Sequence, residues 1–181
     1  MADLIETIDG TRLEIRPISP ADHDRLADHF GRLSTKTRFK RFLGSVVSLS
    51  ERQLRQFTDV DHHGHEALVA VSADGEIEGV ARYIAASGAS SVAEVAVTIA
   101  DEWQGRGVGS ALLARLMGRA RDEGIDTFTA SCFANNREML MLFRELGKEV
   151  EILGQSGGVI EVEIELPTTA PVRGAPVSPP A

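Results

Sequence analysis

Cysteine is almost missing from this chain. Its 181 residues contain one, Cys132. An internal disulfide framework is therefore excluded, and a reducing compartment is the natural setting. Aromatic residues are also scarce, at 5%. The single tyrosine, Tyr83, is the only phenol that could donate a proton. No apolar run approaches the roughly twenty residues needed to span a bilayer. Positive charge is in deficit, with 19 Lys and Arg against 27 Asp and Glu. The net charge of −8 speaks against bulk attraction to nucleic acid or to anionic membrane. The opening residues, Met1-Ala2-Asp3-Leu4-Ile5-Glu6, are acidic where a secretion signal would be basic. Proline is rare until the end, where residues 167–181 hold five of the seven. That stretch has no apolar period and reads as a disordered tail. The expectation is one cytoplasmic domain over residues 1–166, as a monomer or homodimer, with no nucleic-acid or membrane partner.

What is present centres on Gln104-Gly105-Arg106-Gly107-Val108-Gly109-Ser110. A short β-branched run, residues 92–100, precedes it, and a helically spaced run from Ala111 to Met117 follows. A glycine-rich turn from a strand into a helix presents backbone N–H groups that nothing inside the helix can satisfy. The helix dipole adds partial positive charge at the same point. On residue chemistry alone the stretch is either a phosphate site or a tight connection that binds nothing.

Residues 11–18 alternate and form a first strand. Ser19-Pro20 opens a helix with a stripe of Leu26, Phe30 and Leu33. Residues 32–42 concentrate Arg32, Lys36, Arg38, Lys40 and Arg41, as a solvated face or as a dock for acidic partners or ligand phosphates. Ser48 and Glu51 have capping-box spacing before Leu54 and Phe57. The loop from Asp59 to His65 holds His62, His63 and His65, but its spacing matches no zinc pattern, so no metal is expected. Strands at 66–72 and 76–85 flank an Asp74-Gly75 hairpin turn. A turn at 87–91 leads to the strand through Glu94. The helix after the glycine loop buries Leu112, Leu113, Leu116, Met117 and Ala120, and Gly124 ends it. A strand at 125–133 returns after this crossover and can lie parallel to the Glu94 strand. Asn135-Asn136-Arg137-Glu138 opens a helix with Met139, Leu140, Leu142, Phe143 and Leu146 on one face. A hairpin over 149–153 and 159–166 closes the domain.

This order of elements around Gln104, Gly107 and Gly109 resembles the GNAT superfamily of N-acetyltransferases, whose signature is Q/R-x-x-G-x-G/A. The resemblance covers about residues 10–166. It includes the whole loop from Asp101 to Gly109 and the Asn136-Arg137-Glu138-Met139-Leu140 helix opening. Within that superfamily the chain is most similar to the catalytic domains of bacterial protein lysine acetyltransferases. The stretches that carry this are Arg16-Pro17-Ile18, Arg38-Phe39-Lys40-Arg41-Phe42, Ala67-Leu68-Val69-Ala70, and Glu94 ten residues before Gln104. The implied fold is mixed α/β (α+β), with a mostly antiparallel sheet of six to seven strands and helices on both faces. Its fourth and fifth strands are parallel and splayed.

The resemblance implies acetyl-CoA as co-substrate and a primary amine, a protein lysine, as acceptor. The pyrophosphate would sit on the amides of Gly105, Arg106, Gly107, Val108, Gly109 and Ser110. Val97, Thr98 and Ile99 would pair with the pantetheine arm, and an N–H near Val97 would hold the thioester carbonyl. Asn136 would bond the arm, cap its own helix, or both. Glu94 shares a strand face with Ala96 and Thr98 and is the candidate general base. Among small and apolar neighbours its carboxylate would have a raised pKa. One departure stands out: Phe143 takes the place of the tyrosine that many of these enzymes use as acid for the leaving thiolate. A small-molecule amine as acceptor, and a non-catalytic acyl-CoA-binding sensor, are the competing readings. Cys132 reads as a small core residue. Trp103 reads as packing that holds the turn, with a cofactor contact as its alternative.

Overall fold

The computed structural model describes residues 3–86 and 91–168. The proposed turn at 87–91, apart from Ser91, and the proline-rich stretch beyond Thr168 lie outside the described residues. Eight strands form one sheet: β1 (Asp3–Glu6), β2 (Arg12–Pro17), β3 (His65–Val71), β4 (Ile77–Ala85), β5 (Val92–Ile99), β6 (Thr127–Phe133), β7 (Glu149–Ser156) and β8 (Val159–Glu165). Their spatial order is β1-β2-β3-β4-β5-β6-β8-β7. All neighbours are antiparallel except β5 and β6, which run parallel. Five α-helices lie among the described residues: α1 (His23–Arg32), α2 (Thr35–Phe42), α3 (Glu51–Thr58), α4 (Val108–Asp122) and α5 (Arg137–Leu146).

The sheet exceeds the expected six to seven strands by β1. Four residues, Asp-Leu-Ile-Glu, are too few to show an alternation. The segment becomes a strand by pairing along β2, from Asp3 opposite Ile15 to Glu6 opposite Arg12, and by the ion pair of Asp3 with Arg115 on α4. A second difference is the cap of α3. Ser50 is its N-cap, with Gln53 as reciprocal partner: Ser50 N donates to Gln53 Oε1 at 2.9 Å and Gln53 N to Ser50 Oγ at 3.3 Å. Starting the helix at Ser48 would wind Leu49 into its first turn, whereas Leu49 packs against the core beneath α1.

The central strands β3 and β4 are covered on both faces. On one face, Leu112, Leu113, Leu116, Met117 and Ala120 of α4 all reach the core, with Val95 and Val97 of β5 and Phe128 of β6. On the other, Leu26 and Leu54 cover Val69, Val71, Ile77 and Val80. The two-residue hairpin at Gly157-Gly158 requires positive φ at both positions (57° and 80°), which glycine adopts without strain. The β7 strand therefore runs on to Ser156, beyond the expected end near 153.

The α1 face also buries His29. Its Nδ1 lies 2.8 Å from the Ile77 carbonyl, and its Nε2 is buried without a protein partner among the described residues. Burial pushes the ring pKa down to about 4, so the folded protein holds it neutral. The unfolded chain takes up a proton as the pH falls below about 6.5, and the folded protein resists until about 4. Stability carried by this group is thus present above pH 6.5 and is lost as the pH drops towards 4, by up to about 3 kcal/mol. Chemical denaturation at pH 7 and pH 4.5 should show this loss, and His29→Gln should flatten it.

Candidate active site

Hydrogen bonding between β5 and β6 lasts for three residue pairs, Val92 with Thr127, Ala93 with Phe128 and Glu94 with Thr129. Beyond Glu94 the strands part. Each keeps its outer partner, β5 with β4 up to Ile99 and β6 with β8 up to Phe133. Alternate backbone groups of β5 from Val95 to Ile99 therefore face a gap. A cleft of about 610 Å³ opens there.

One end of the cleft is the glycine loop. Gly105 and Gly107 have φ of 73° and 88°, the left-handed region where a Cβ is strained. Gly107 is the N-cap of α4. The first helical bond runs from Ala111 N to the Gly107 carbonyl at 3.0 Å. The N–H groups of Val108, Gly109 and Ser110 thus stand outside the helical ladder at the positive end of a fifteen-residue helix. Free N–H groups at the positive end of a helix are able to hold an anion. Gln104 serves the scaffold: its Nε2 donates to the Ile99 carbonyl (3.1 Å) and to Thr37 Oγ1 (3.2 Å). Asp101 completes that tie by accepting from Ser34 and Thr37 at the start of α2.

The structure brings most of the sequence-predicted residues together. Val97, Thr98 and Ile99 line the cleft from β5, as do Gln104, Gly105, Gly107, Gly109 and Ser110 from the loop. Asn136 lines it from α5. It is 6% exposed, and its side chain makes no capping bond. Arg106 and Val108 do not line the cleft. The Arg106 guanidinium pairs with Asp9 at 2.6 Å and lies over Trp103, 5.0 Å from the ring centroid. The Val108 side chain is in the core. Trp103 packs against the core, as expected, and also lines the cleft.

Glu94 departs from the environment expected for it. It is exposed, and the small apolar enclosure is not found. Its strand face continues through Ala96 and Thr98 towards α2, which touches both β5 and β6. From α2 the partly buried Arg41 faces this region. Burial lowers the Arg41 pKa, and the Glu94 carboxylate works against that shift. Phe143 is 1% exposed and wholly within the core. Tyr83 is equally buried, with its hydroxyl donated to the His63 carbonyl at 2.9 Å and its pKa pushed up to about 12, chiefly by burial. Neither side chain lines the cleft.

Sequence reasoning missed Ile8. It lines the cleft because the turn after β1 docks on the loop, with Ile8 N donating to the Arg106 carbonyl at 3.1 Å. An unrecognised strand gave no reason to place that turn. The basic segment resolves into separate roles. Arg32 pairs with Glu76, Glu78 and Glu102, and Arg38 donates to the Val47 carbonyl. Lys40 and Arg41 line the cleft, Lys40 bridging to Glu138 of α5 at 2.9 Å. The three loop histidines diverge, with His62 on buried Glu66, His63 on Glu123 and His65 beside Arg82. Cys132 is buried in the core.

Among the described residues no helix is long and apolar enough to cross a membrane. The sequence profile of the "Acetyltransferase (GNAT) family" matches residues 34–147. An acetyltransferase of Pseudomonas aeruginosa is 39% identical over 142 residues, covering 77% of this chain and 76% of that protein. The acetyltransferase Pat of Mycolicibacterium smegmatis is 30% identical over 171 residues, covering 94% of this chain. The chain spans half the length of that relative. An L-methionine sulfoximine/L-methionine sulfone acetyltransferase of P. aeruginosa is 34% identical over 107 residues, covering 58% of this chain and 62% of that one. Among solved structures, the GNAT domain of S. lividans PAT superposes with a TM-score of 0.84 at 30% identity, covering 91% of this chain and 97% of that one. Loop, parted strands and sequence agree: this chain belongs to the GNAT family and is an N-acetyltransferase.

Proposed function

We propose that this enzyme transfers the acetyl group of acetyl-CoA to the amine of a protein lysine, by direct attack in a ternary complex. The observation that carries the reading is the single cleft joining the amides at the start of α4 to the gap beyond Glu94. Its shape suits an extended molecule with phosphates at one end and a reacting carbon at the other. The lysine acceptor rests on resemblance to the bacterial protein lysine acetyltransferases and on similarity to the Pat enzymes.

In this reading the N–H groups from Gly105 to Ser110 hold the pyrophosphate. The free edge of β5 at Val97, Thr98 and Ile99 pairs with the pantetheine amides. Asn136 supplies a further hydrogen bond from α5. A backbone N–H near Val97 stabilises charge developing on the thioester oxygen. A free lysine has a pKa of about 10.4, so its ammonium predominates at pH 7 and a base is needed. Glu94 accepts that proton, directly or through one water. The amine nitrogen then bonds to the acetyl carbon, the nitrogen sheds its second proton to solvent, the carbon–sulfur bond breaks, and CoA leaves as the thiolate. Its proton comes from solvent, because Phe143 has none to give and Tyr83 is committed elsewhere.

A small amine is the second acceptor class, favoured by similarity to the methionine sulfoximine enzyme. Acetyl-proteome mass spectrometry with and without the gene separates the two. Loss of particular acetyl-lysines supports a protein acceptor, and an unchanged pattern leaves the small amine.

Two substitutions test the assignment of roles. Glu94→Gln should lower kcat/KM for the amine by about a hundredfold or more and remove the acidic limb of its pH profile. An unchanged profile would mean that Glu94 is only a surface residue. Asn136→Ala removes no capping bond, so thermal stability should hold, while the acetyl-CoA KM should rise by about tenfold. A fall in stability with an unchanged KM would assign Asn136 to the scaffold instead.

A further inference from the structure

Beside the cleft, under α1, α2 and α3, a narrow recess of about 30 Å³ opens against β4 and β5. It shares Arg41 and Thr98 with the large cleft. Most of its wall is apolar, including Leu26, Phe30, Phe57 and Val80. Against that wall stand two guanidinium groups, Arg41 and Arg82, and no aspartate or glutamate lines the recess among the described residues.

Arg82 is 5% exposed. Its guanidinium lies over the Phe57 ring at 4.3 Å, and Nη1 sits 3.3 Å from both the Phe57 carbonyl and His65 Nε2. No carboxylate pairs with it among the described residues. Burial, together with the like charge of Arg41, pulls its pKa down to about 9. This is unusual in a chain with more acids than bases. Arg16 and Arg25 share Asp22, Arg106 has Asp9, Arg115 has Asp3 and Arg119 has Glu66. These five arginines have carboxylate partners, while the most enclosed arginine among the described residues is left with a neutral carbonyl and an imidazole. A buried cation without a counter-ion is strongly disfavoured unless something supplies the charge. The neutral His29 ring stands in the same wall, and its Nε2 has no partner among the described residues.

The recess lies on the Glu94 face of β5. Arg82 stands directly opposite Ala96 in the antiparallel register, and Glu94 is two residues along. The diagonal spacing of such positions is about 7–8 Å. A base and an anion cradle are therefore one short side chain apart, on the same side of the reaction centre. We propose that the recess is a carboxylate-binding subsite for the acceptor, with Arg82 and Arg41 as its donors, and that this enzyme selects amines carrying a carboxylate nearby. This deepens the transferase reading and rests on it for the direction from which the acceptor arrives. The carboxylate comes either from an acidic residue beside a target lysine or from a free amino acid.

Matched acceptors test this. Lysine peptides with Asp or Glu next to the lysine are compared with their Asn or Gln counterparts, and free amino acids with their carboxamides, by CoA release. The acid member of at least one pair should show kcat/KM higher by about tenfold to a hundredfold, as expected for charge-assisted hydrogen bonds. A preference among peptides alone assigns a protein acceptor, and one among free amino acids alone assigns a small molecule. Arg82→Met should erase the preference while the acetyl-CoA KM moves less than about threefold, because Arg82 does not line the large cleft. Arg82→Lys, which keeps the charge, should restore part of it. No preference in the wild type, or one that survives Arg82→Met, overturns the subsite.

A readout independent of turnover keeps the subsite distinct from the transferase reading. Millimolar glutarate should raise the wild-type Tm by about 2 °C or more, and glutaramide should not. Absence of that shift overturns the subsite even if acetyl transfer proceeds. A shift without transfer to any amine supports the subsite and overturns the transferase reading alone.

Discussion

The site depends on where one strand pairing ends. After Glu94 and Thr129 the β5–β6 ladder stops, although both strands continue. Each is held on its far side, β5 by seven residue pairs with β4 and β6 by seven with β8, so the gap costs neither strand its place in the sheet. Backbone groups that would pair in a closed sheet are left facing the gap, and unpaired backbone polar groups require either water or a ligand. A parallel pair needs a crossover connection, here α4, which delivers a helix N-terminus to the same end of the sheet at which the strands part. The helix N-terminus and the free strand edge that bound the cleft are thus consequences of one topological choice.

Around that gap the polar contacts act as clamps. Asp101 and Gln104 fasten the start of α2 to the loop, and Lys40 with Glu138 fastens α2 to α5. The turn after β1 lies on the loop through Ile8 and Asp9. These contacts are mostly exposed, and each adds little to stability. Their effect is positional: three elements remote in sequence are held at fixed distances from the free edge of β5. Charge is distributed unevenly across them. Arg16, Arg106 and Arg115 pair with carboxylates, whereas Arg82 has no carboxylate partner among the described residues and Arg41 faces the exposed Glu94. An acidic protein thereby gathers two guanidinium groups at one recess beside the cleft.

Much of the fold was legible from residue patterns, for physical reasons that can be named. The α4 stripe of Leu112, Leu113, Leu116 and Met117 follows the helical period, and the hairpin at Asp74-Gly75 uses a turn chemistry with few alternatives. The parts that failed to show were short or degenerate. β1 is four residues long and becomes a strand only through its neighbour. Ser48 and Ser50 both satisfy a capping pattern, and only the packing of Leu49 separates them.

The sequence by itself determined the glycine loop, the strand and helix it joins, the helix led by Asn136 and the strand face shared by Glu94, Ala96 and Thr98. These are local consequences of backbone freedom and of side-chain period, which neighbouring residues encode. Tertiary structure alone decided that Glu94 is exposed and opposed by Arg41, that Asn136 faces the cleft without a side-chain capping bond, and that Arg82 is buried with no acid paired to it among the described residues. Each depends on which remote side chains occupy the same few ångströms. Solvent exposure and charge pairing are properties of that assembly, and no spacing along the chain encodes them.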